Sequence, residues 1–533
     1  MRKRIGTLFS GALFHTLRDK GETFGFLGER DGKISYLSDT RPANGSYVRE
    51  VAFNGLHIYP SLTDTHLHLL YSIMMAASGY NICEIKDGGV VPDNMAGTGE
   101  WLRARCSSRG VNDIIIGSGF IPPAIAEKRM PTRRELDDWT EGRRTVVYSI
   151  DGHSSSLSTS MLRALGIDPE GHDGVLRGTE HEFRQGRVME ILAATIGAGD
   201  IARGVAAFTN RCAHYGITRV CAMDGNGDVK NDWLTKLTAA IASRMDIDVF
   251  LYPQYMDIEK ARPFWKKMSR RRIGGCGDWE MDGAVGSHSA AFYSPYADTA
   301  DIAECYYSQG EVDRALQRAD AEGCQIATHA IGDAAIDRIL AAHEKLRSKT
   351  IHRIEHFEFP TDAAVQKLIA CGNLAVTVQP GFSWIDARYL KSYENYLPQE
   401  TILRQVPLKR LYDAGVALCG SSDSPVQDID PFLQMLGMTD FCVPGQSLTN
   451  YEAMRCYTLN PARALEQAMN FGTLEINKEA SFFAVETDIL AAGHDTLAGV
   501  HALHTYIRGK KLGGKKGNIA ALCGMILRRA KKI

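Results

Sequence analysis

The sequence predicts an α/β fold: a (β/α)8 TIM-like barrel with an inserted lobe, plus a small composite β-sandwich built from the N- and C-terminal segments. Three observations predict it. Helical patterns end at Gly323, Gly372 and Gly415, each directly before an apolar strand, as in αβ loops with a left-handed glycine behind the helix. Repetition of that unit calls for parallel strands. The two ends of the chain read instead as short β-rich runs between turns.

Residues 1–58 form the first part of the sandwich. Gly6–Thr16, Thr23–Leu27, Ile34–Leu37 and Val48–Phe53 are strand candidates, and Asp31-Gly32 marks a tight hairpin. The basic start Met1-Arg-Lys-Arg4 precedes a weakly apolar run that His15 and Thr16 interrupt. No small-residue cleavage site follows, so a first strand is expected there and not a secretion signal.

Residues 59–470 form the barrel. Its strand candidates are Ile114–Ile116, Val146–Ile150, Thr218–Cys221, Asp248–Tyr252, Gln325–Thr328, His352–Ile354, Ala375–Val378 and Val416–Gly420. Helices are expected over Glu311–Glu322, from Asp333 to about Arg347, from Asp362 to Gly372 and over Pro398–Ala414. The stretch 80–180 is too long and irregular for one βα unit and reads as the inserted lobe, with Gly174–Gly186 a small β element inside it. A doubly wound open sheet is the alternative, but no GxGxxG follows the early strands.

Residues 471–512 return to short strands (Gly472–Leu474, Ser481–Val485 and Val500–Ile507) and form the second part of the sandwich. Residues 513–533 are a basic tail; nine Lys/Arg and no acid occur from Arg508 to the end. It reads as a solvated segment with a short amphipathic helix, a dimer contact or anionic-surface contact being the other reading.

Composition narrows the function classes. The 533 residues are 44% hydrophobic and 23% charged, with a mean hydropathy of −0.19, which excludes disorder over most of the length. Lys+Arg 61 against Asp+Glu 63 gives a net charge of −2, so no overall field favours nucleic acid or an anionic membrane. No apolar run approaches the ~18–20 residues of a membrane span. Twelve cysteines without a CxxC pair suit a reducing compartment, and a cytoplasmic protein is expected.

The chemistry lies at strand ends. His66-x-His68 follows the apolar strand Leu56–Leu62, and residues i and i+2 of a strand face one side, so both imidazoles can reach one metal. His329 closes Gln325–Thr328, His356 closes His352–Glu355, and Asp423 follows Val416–Gly420. Each stands at the carboxyl end of a predicted parallel strand, the rim where barrels build active sites. Four imidazoles and a carboxylate suit zinc, and also iron or manganese.

The order HxH, an acidic or lysine strand, His, His, Asp is the amidohydrolase superfamily pattern. The chain resembles the branch containing N-substituted formamide deformylase, through nearly its whole length. Pro60-Ser-Leu-Thr-Asp-Thr-His-Leu-His68, Asp151-Gly-His-Ser154, Tyr215-Gly-Ile-Thr218 and Asp282-Gly-Ala-Val-Gly-Ser287 carry the resemblance in the first part. His329-Ala-Ile-Gly-Asp333, His352-Arg-Ile-Glu-His356, Gln379-Pro380, Gly420-Ser-Ser-Asp-Ser-Pro425 and Tyr457-Thr-Leu-Asn-Pro-Ala462 carry it in the second. The resemblance implies the barrel-and-sandwich architecture and hydrolysis of C–N bonds by metal-activated water. It makes His66, His68, His329, His356 and Asp423 metal ligands and Asp423 the general acid/base.

One departure bears on the metal centre. Relatives often carry a carboxylated lysine that bridges two metals, where this chain reads Gly277-Asp-Trp-Glu-Met-Asp282. Asp278, Glu280 and Asp282 would alternate onto one face. Glu280 is expected to bridge, its longer arm better replacing carboxylated lysine, with Asp278 as the alternative and a single-metal site left open. A second departure, Asn477-Lys-Glu-Ala-Ser481, lies in the sandwich, away from the rim. His153 reads either as a loop histidine bonded to backbone or as a donor to the scissile carbonyl or leaving group. Phe382, Trp384 and Tyr389 read as a substrate wall or as rim packing.

The expected protein is therefore a metal-dependent amidohydrolase acting on a small amide, formamide or cyclic imide. Its cofactor is a divalent metal, zinc first, one or two per chain. Its partner is a small molecule, without nucleic acid or membrane; a homo-oligomer is left open. The rivals are a deaminase of the same fold, with one metal and an extra His–Glu pair, and a degenerate barrel that binds a ligand without turnover.

Overall fold

The structure, a computed structural model, describes residues 6–78, 81–86, 89–108, 110, 113–193, 197–225, 233–266 and 268–513. The expected basic tail 513–533 lies, beyond its first residue, outside the described residues.

Eight strands carry the parallel core: β1 (Leu62–Leu67), β2 (Ile217–Asp224), β3 (Asp248–Pro253), β4 (Arg272–Glu280), β5 (Gln325–Ala330), β6 (His352–His356), β7 (Leu374–Val378) and β8 (Ala417–Gly420). They fall into a three-stranded sheet, β3-β2-β1, and a five-stranded sheet, β4-β5-β6-β7-β8, all pairs parallel. Strands β1, β2, β5, β6, β7 and β8 are buried at every position, as parallel strands covered by helices must be. Among the described residues the ladder does not close into a ring. At the seam between β8 and β1, His68 N donates to Ser424 O (2.8 Å), Asp423 N to His66 O (2.9 Å) and Thr65 Oγ1 to Gly420 O (2.9 Å). That stitching brings the HxH segment and Asp423 together.

The helices between strands end as their glycines demand. Gly323, Gly372 and Gly415 have φ of 63°, 68° and 79°, left-handed values that a glycine adopts without Cβ strain. The long helix expected over Pro398–Ala414 is instead two short ones, Gln399–Ile402 and Leu408–Asp413. Pro407 is the reason, because its ring and missing N–H end a helix at the residues before it.

Two strand candidates belong elsewhere. Ile115–Phe120 and Thr145–Ser149 lie with Ser154–Leu157 and Val175–Arg177 in a separate four-stranded sheet between β1 and β2. Thr145–Ser149 pairs antiparallel with Ser154–Leu157, a hairpin that a parallel barrel does not admit. Their places in the core are taken by β1 and β4. Within the same region Gly174–Gly186 is not a β element: three strand residues, Val175–Arg177, lead directly into the helix Gly178–Ala193. Gly178 and Gly186 hid that helix, since glycine lowers helix propensity at both positions.

The chain ends share one sheet. Gly6–His15 runs parallel to Arg49–Pro60, and Phe482–Val485 pairs antiparallel with the far side of Arg49–Pro60, followed by His504–Ile507. Its apolar face holds Phe9, Phe53, Phe482 and Tyr506 in edge and stacked contacts, with Phe9 and Phe482 centroids 4.9 Å apart. Asp31 and Gly32, at φ 53° and 81°, make the expected hairpin turn. No helix among the described residues is long and apolar enough to cross a membrane.

Candidate active site

All five residues picked at strand ends meet on one rim. His66 Nε2 and His68 Nε2 each lie 3.3 Å from Asp423 Oδ1. The His66 and His356 rings are 5.1 Å apart, and those of His356 and His329 4.4 Å. Glu280, the last residue of β4, stands in register with His329 on β5. Two donor triads result, His66–His356–Asp423 and His153–Glu280–His329, each with its donor atoms within 4.8 Å of one another.

Strand β4 reaches the rim by an irregular path. Gly275 pairs with Thr328 but Glu280 with His329, so four additional residues bulge out between consecutive partners. Of the expected alternation of Asp278, Glu280 and Asp282 onto one face, Glu280 and Asp282 both approach His329, with Asp282 Oδ1 3.5 Å from its Nε2. Asp282 turns into the loop and accepts N–H bonds from Ala291 (2.9 Å), Ile331 (3.0 Å) and Gly332 (2.8 Å). The side chain of Asp278 lies outside the described residues.

Each imidazole has one nitrogen anchored. His66 Nδ1 meets Glu355 Oε2 at 2.7 Å, His68 Nδ1 the Met223 carbonyl at 2.9 Å, and His356 Nδ1 the Gln379 Oε1 at 2.8 Å. His329 Nε2 meets the Gly283 carbonyl at 3.1 Å. A ring with one nitrogen so committed has its tautomer fixed and presents the other nitrogen to a cation. His356 and Asp423 sit at φ of 69° and 57°. Non-glycine residues held in that region cost energy and cluster at functional sites.

Burial pushes the Asp423 carboxyl up, but His66 and His68 beside it outweigh that and hold it below the ordinary range, as a carboxylate. Burial likewise opposes the charge on Glu355, yet Arg353 and His66 keep it ionised. His153 lies on the loop after Thr145–Ser149, its Nδ1 2.8 Å from Glu182 Oε1 and its ring 5.1 Å from His329. Burial alone would lower its pKa, but Glu182, with Glu280 and Asp151 behind it, raises it well above the ordinary value.

The donor set fits a divalent metal. Two ligands held about 2.1 Å from one tetrahedral ion lie roughly 3.4 Å apart, close to the His66–Asp423 and His68–Asp423 separations. Imidazole with carboxylate suits zinc, iron and manganese alike. A third cluster, His15–His57–Asp488 in the terminal sheet, does not fit. There His15 Nε2 and His57 Nδ1 are 2.9 Å apart with centroids at 5.2 Å, the spacing of two rings bonded edge to edge, so the nitrogens aim at each other.

A cavity of about 390 Å3 opens on the rim, lined by His68, His153, Glu280 and Asp423, by the aliphatic Ile116 and Met189, and by the rings of Tyr71 and Tyr148. Phe382, Trp384 and Tyr389 do not line it; Trp384 donates to Asp440 (3.1 Å) and stacks under Arg388, which is rim packing. Sequence reasoning missed Glu182, Glu355 and Gln379. The last two stand in the motifs His352-Arg-Ile-Glu-His356 and Gln379-Pro380, and their positions one before His356 and just past a strand end were the available signal. Glu182 had none, because its helix was not recognised.

A model of the amidohydrolase family matches residues 49–512. YtcJ of Bacillus subtilis (strain 168) is 22% identical over 94% of this chain and 98% of its own. The N-substituted formamide deformylase of Arthrobacter pascens is 23% identical over 90% and 93%. An uncharacterized metal-dependent hydrolase from Pyrococcus horikoshii OT3 superposes with a TM-score of 0.73, at 20% identity over 93% of this chain and all of that one. The fold is thus the α/β, TIM-like one, and the protein is a metal-dependent hydrolase acting on C–N bonds. With the family model covering most of the sequence, this chain belongs to the amidohydrolase family.

Proposed function

We propose that the protein hydrolyses the C–N bond of a small amide, formamide or cyclic imide at a two-metal centre. His66, His68, Glu280, His329, His356 and Asp423 would hold the metals, Glu280 coming from the second donor triad, with zinc as the metal. One observation carries the reading: four imidazoles with their outer nitrogens anchored converge with two carboxylates on the rim of the parallel sheet.

A bound divalent ion supplies Lewis acidity toward a carbonyl and makes water nucleophilic near neutral pH. The chain does the rest. The Asp423 carboxylate, kept ionised by His66 and His68, accepts the proton of the attacking water and passes it to the leaving nitrogen. His153, oriented by Glu182, contacts the polar part of the substrate. Tyr71, Ile116, Tyr148 and Met189 receive an apolar substituent and exclude water around the scissile bond.

The architecture in this reading is a (β/α)8 barrel with an inserted lobe and a two-ended β domain. The ten described cysteines are free thiols, which supports a cytoplasmic protein. The His153–Glu182 pair favours a second reading, a deaminase, because a His–Glu pair beside the metal is what such chemistry adds. Purification without chelators, metal analysis, and a panel of N-alkyl formamides, acetamides and cyclic imides test the choice. Amine release with more than one metal per chain is expected. Ammonia release from amidines with one metal per chain would replace the reading with the second.

A further inference from the structure

We propose that the Tyr306 hydroxyl is a catalytic group of this site, donating a hydrogen bond to the substrate carbonyl oxygen as that oxygen gains negative charge. The inference rests on the amide-hydrolysing reading above.

Tyr306 closes the loop that joins β4 to β5. Its N–H donates to Met281 O at 2.9 Å, and Met281 N donates to His329 O at 3.0 Å, so its backbone is tied to both strands that carry Glu280 and His329. Its side chain lines the cavity beside His68, His153, Glu280 and Asp423. The same side chain lines a second, more polar cavity of about 820 Å3 with Arg177, Ser287 and Tyr396, and so stands between the two spaces.

The hydroxyl is buried, and no group within the described residues bonds to it in acceptable geometry, although the Ser289 hydroxyl lies alongside. Buried hydroxyls are almost always bonded, and an unbonded one in a cavity marks a place where a ligand atom completes the bond. Gly283 makes room for it. A Cβ at Gly283 would come within 2.6 Å of the Tyr306 Oη, while the Gly283 carbonyl meets His329 Nε2 at 3.1 Å. The phenol therefore reaches to within one residue of the His329 anchor.

The chemistry asks for a donor at that place. Burial, and then the nearby carboxylates of Glu182, Glu280 and Asp282, favour the protonated phenol, so the group offers a proton and not a charge. Among the cavity's other polar side chains, Tyr148 donates to Gln185 at 3.2 Å, and His153 Nδ1 is held by Glu182. No proton leaves the phenol in this role. Its hydrogen bond strengthens as the carbonyl becomes tetrahedral and relaxes when the C–N bond breaks, which lowers the barrier without tightening the ground state.

Tyr306→Phe removes only the oxygen and is the test. With the best amide of the panel, kcat is expected to fall roughly 20- to 1000-fold with KM within about threefold, since loss of one oxyanion donor typically costs 10²–10³-fold. Metal content and melting temperature should not fall, because the substitution removes a buried, unbonded hydroxyl. A readout independent of turnover is calorimetric binding of methylphosphonate, a tetrahedral anion, which should weaken at least tenfold. A Tyr306→Phe protein with kcat within twofold of wild type and unchanged methylphosphonate affinity overturns the proposal. If wild type hydrolyses no amide, the function reading fails by itself. The methylphosphonate comparison then decides Tyr306, weaker binding by the variant supporting the donor and equal or absent binding in both proteins refuting it.

Discussion

Glu355 Oε2 lies 2.7 Å from His66 Nδ1, with both side chains wholly buried. Arg353 backs the pair: its Nε and Nη2 donate to the two Glu355 oxygens at 2.9 and 2.8 Å, and Nη2 also donates to Thr65 O at 2.6 Å. Strand β6 thus supplies His356 to the rim and, one residue earlier, the carboxylate that orients a histidine from β1. A charge buried this deeply persists only because it is paired on both sides.

Glu355→Gln should weaken metal binding without unfolding the protein. The amide keeps the shape and one hydrogen bond but loses the charge that raises the basicity of His66. Partners of this kind typically contribute 10–100-fold in metal affinity, so competition against a chelator should show a loss in that range. Glu355→Ala should also lower stability, by about 3–5 kcal/mol, because it strands the Arg353 guanidinium. Unchanged metal affinity in Glu355→Gln would mean that His66 is oriented by packing alone.

In the proposed centre, the number of metals bound is expected to depend on Glu280. Two donor triads with Glu280 at the edge of one of them should hold more than one equivalent of zinc, iron or manganese per chain. Glu280→Ala should reduce that content by about one equivalent, and Asp278→Ala should reduce it less. Elemental analysis of both variants decides between the two carboxylates, and a larger effect from Asp278 would move the bridge to that residue.

The terminal sheet provides a pH dependence separate from the rim. Burial, with His57 adding to it, pushes His15 down to about 4, against a partial opposing pull from Asp488. The unfolded chain takes up that proton near pH 6.5, so between about 6.5 and 4 the unfolded state binds more protons than the native one. Stability should therefore be full above pH 6.5 and decline as pH falls toward 4, by about 1–3 kcal/mol from this residue. His15→Phe keeps the stacking on Tyr59 (4.4 Å between centroids) and removes the titration. Its melting temperature should drop less than that of wild type between pH 7 and 4.5; equal drops would assign the acid sensitivity elsewhere.

Which parts were legible follows from how local their causes are. His66, His68, His329, His356 and Asp423 could be read because each closes a strand in a repeating αβ pattern, and strand ends in such a fold share one rim. Glu280 was partly legible: its residue type suited a bridge, but the bulge that lifts it to His329 leaves no trace in a period-two pattern. Glu182 and Tyr306 could not be read. One comes from a helix disguised by Gly178 and Gly186, the other from a long loop, and neither place is set by neighbouring residues. The strands at Ile115 and Thr145 were seen but assigned to the wrong sheet, because an apolar run does not say which partner it pairs with.

Asp423→Asn should separate metal binding from proton transfer. Asp423 sits at φ 57°, a conformation that Asn tolerates better than other replacements, so the substitution should not disturb the turn after β8. Asn keeps a carbonyl oxygen near His66 Nε2 and His68 Nε2, and four histidines and Glu280 remain as donors. Metal content should therefore fall by less than about half, as in sites where histidine supplies most of the affinity. Asn cannot accept a proton at neutral pH, so the water loses its base and the leaving nitrogen its acid. General acid–base help is typically worth 10²–10⁴-fold, and kcat should fall at least ~100-fold. His66→Ala is the contrast, losing metal and activity together. An Asp423→Asn protein that retains metal and most of its turnover would remove the proton shuttle from Asp423 and leave it a ligand only.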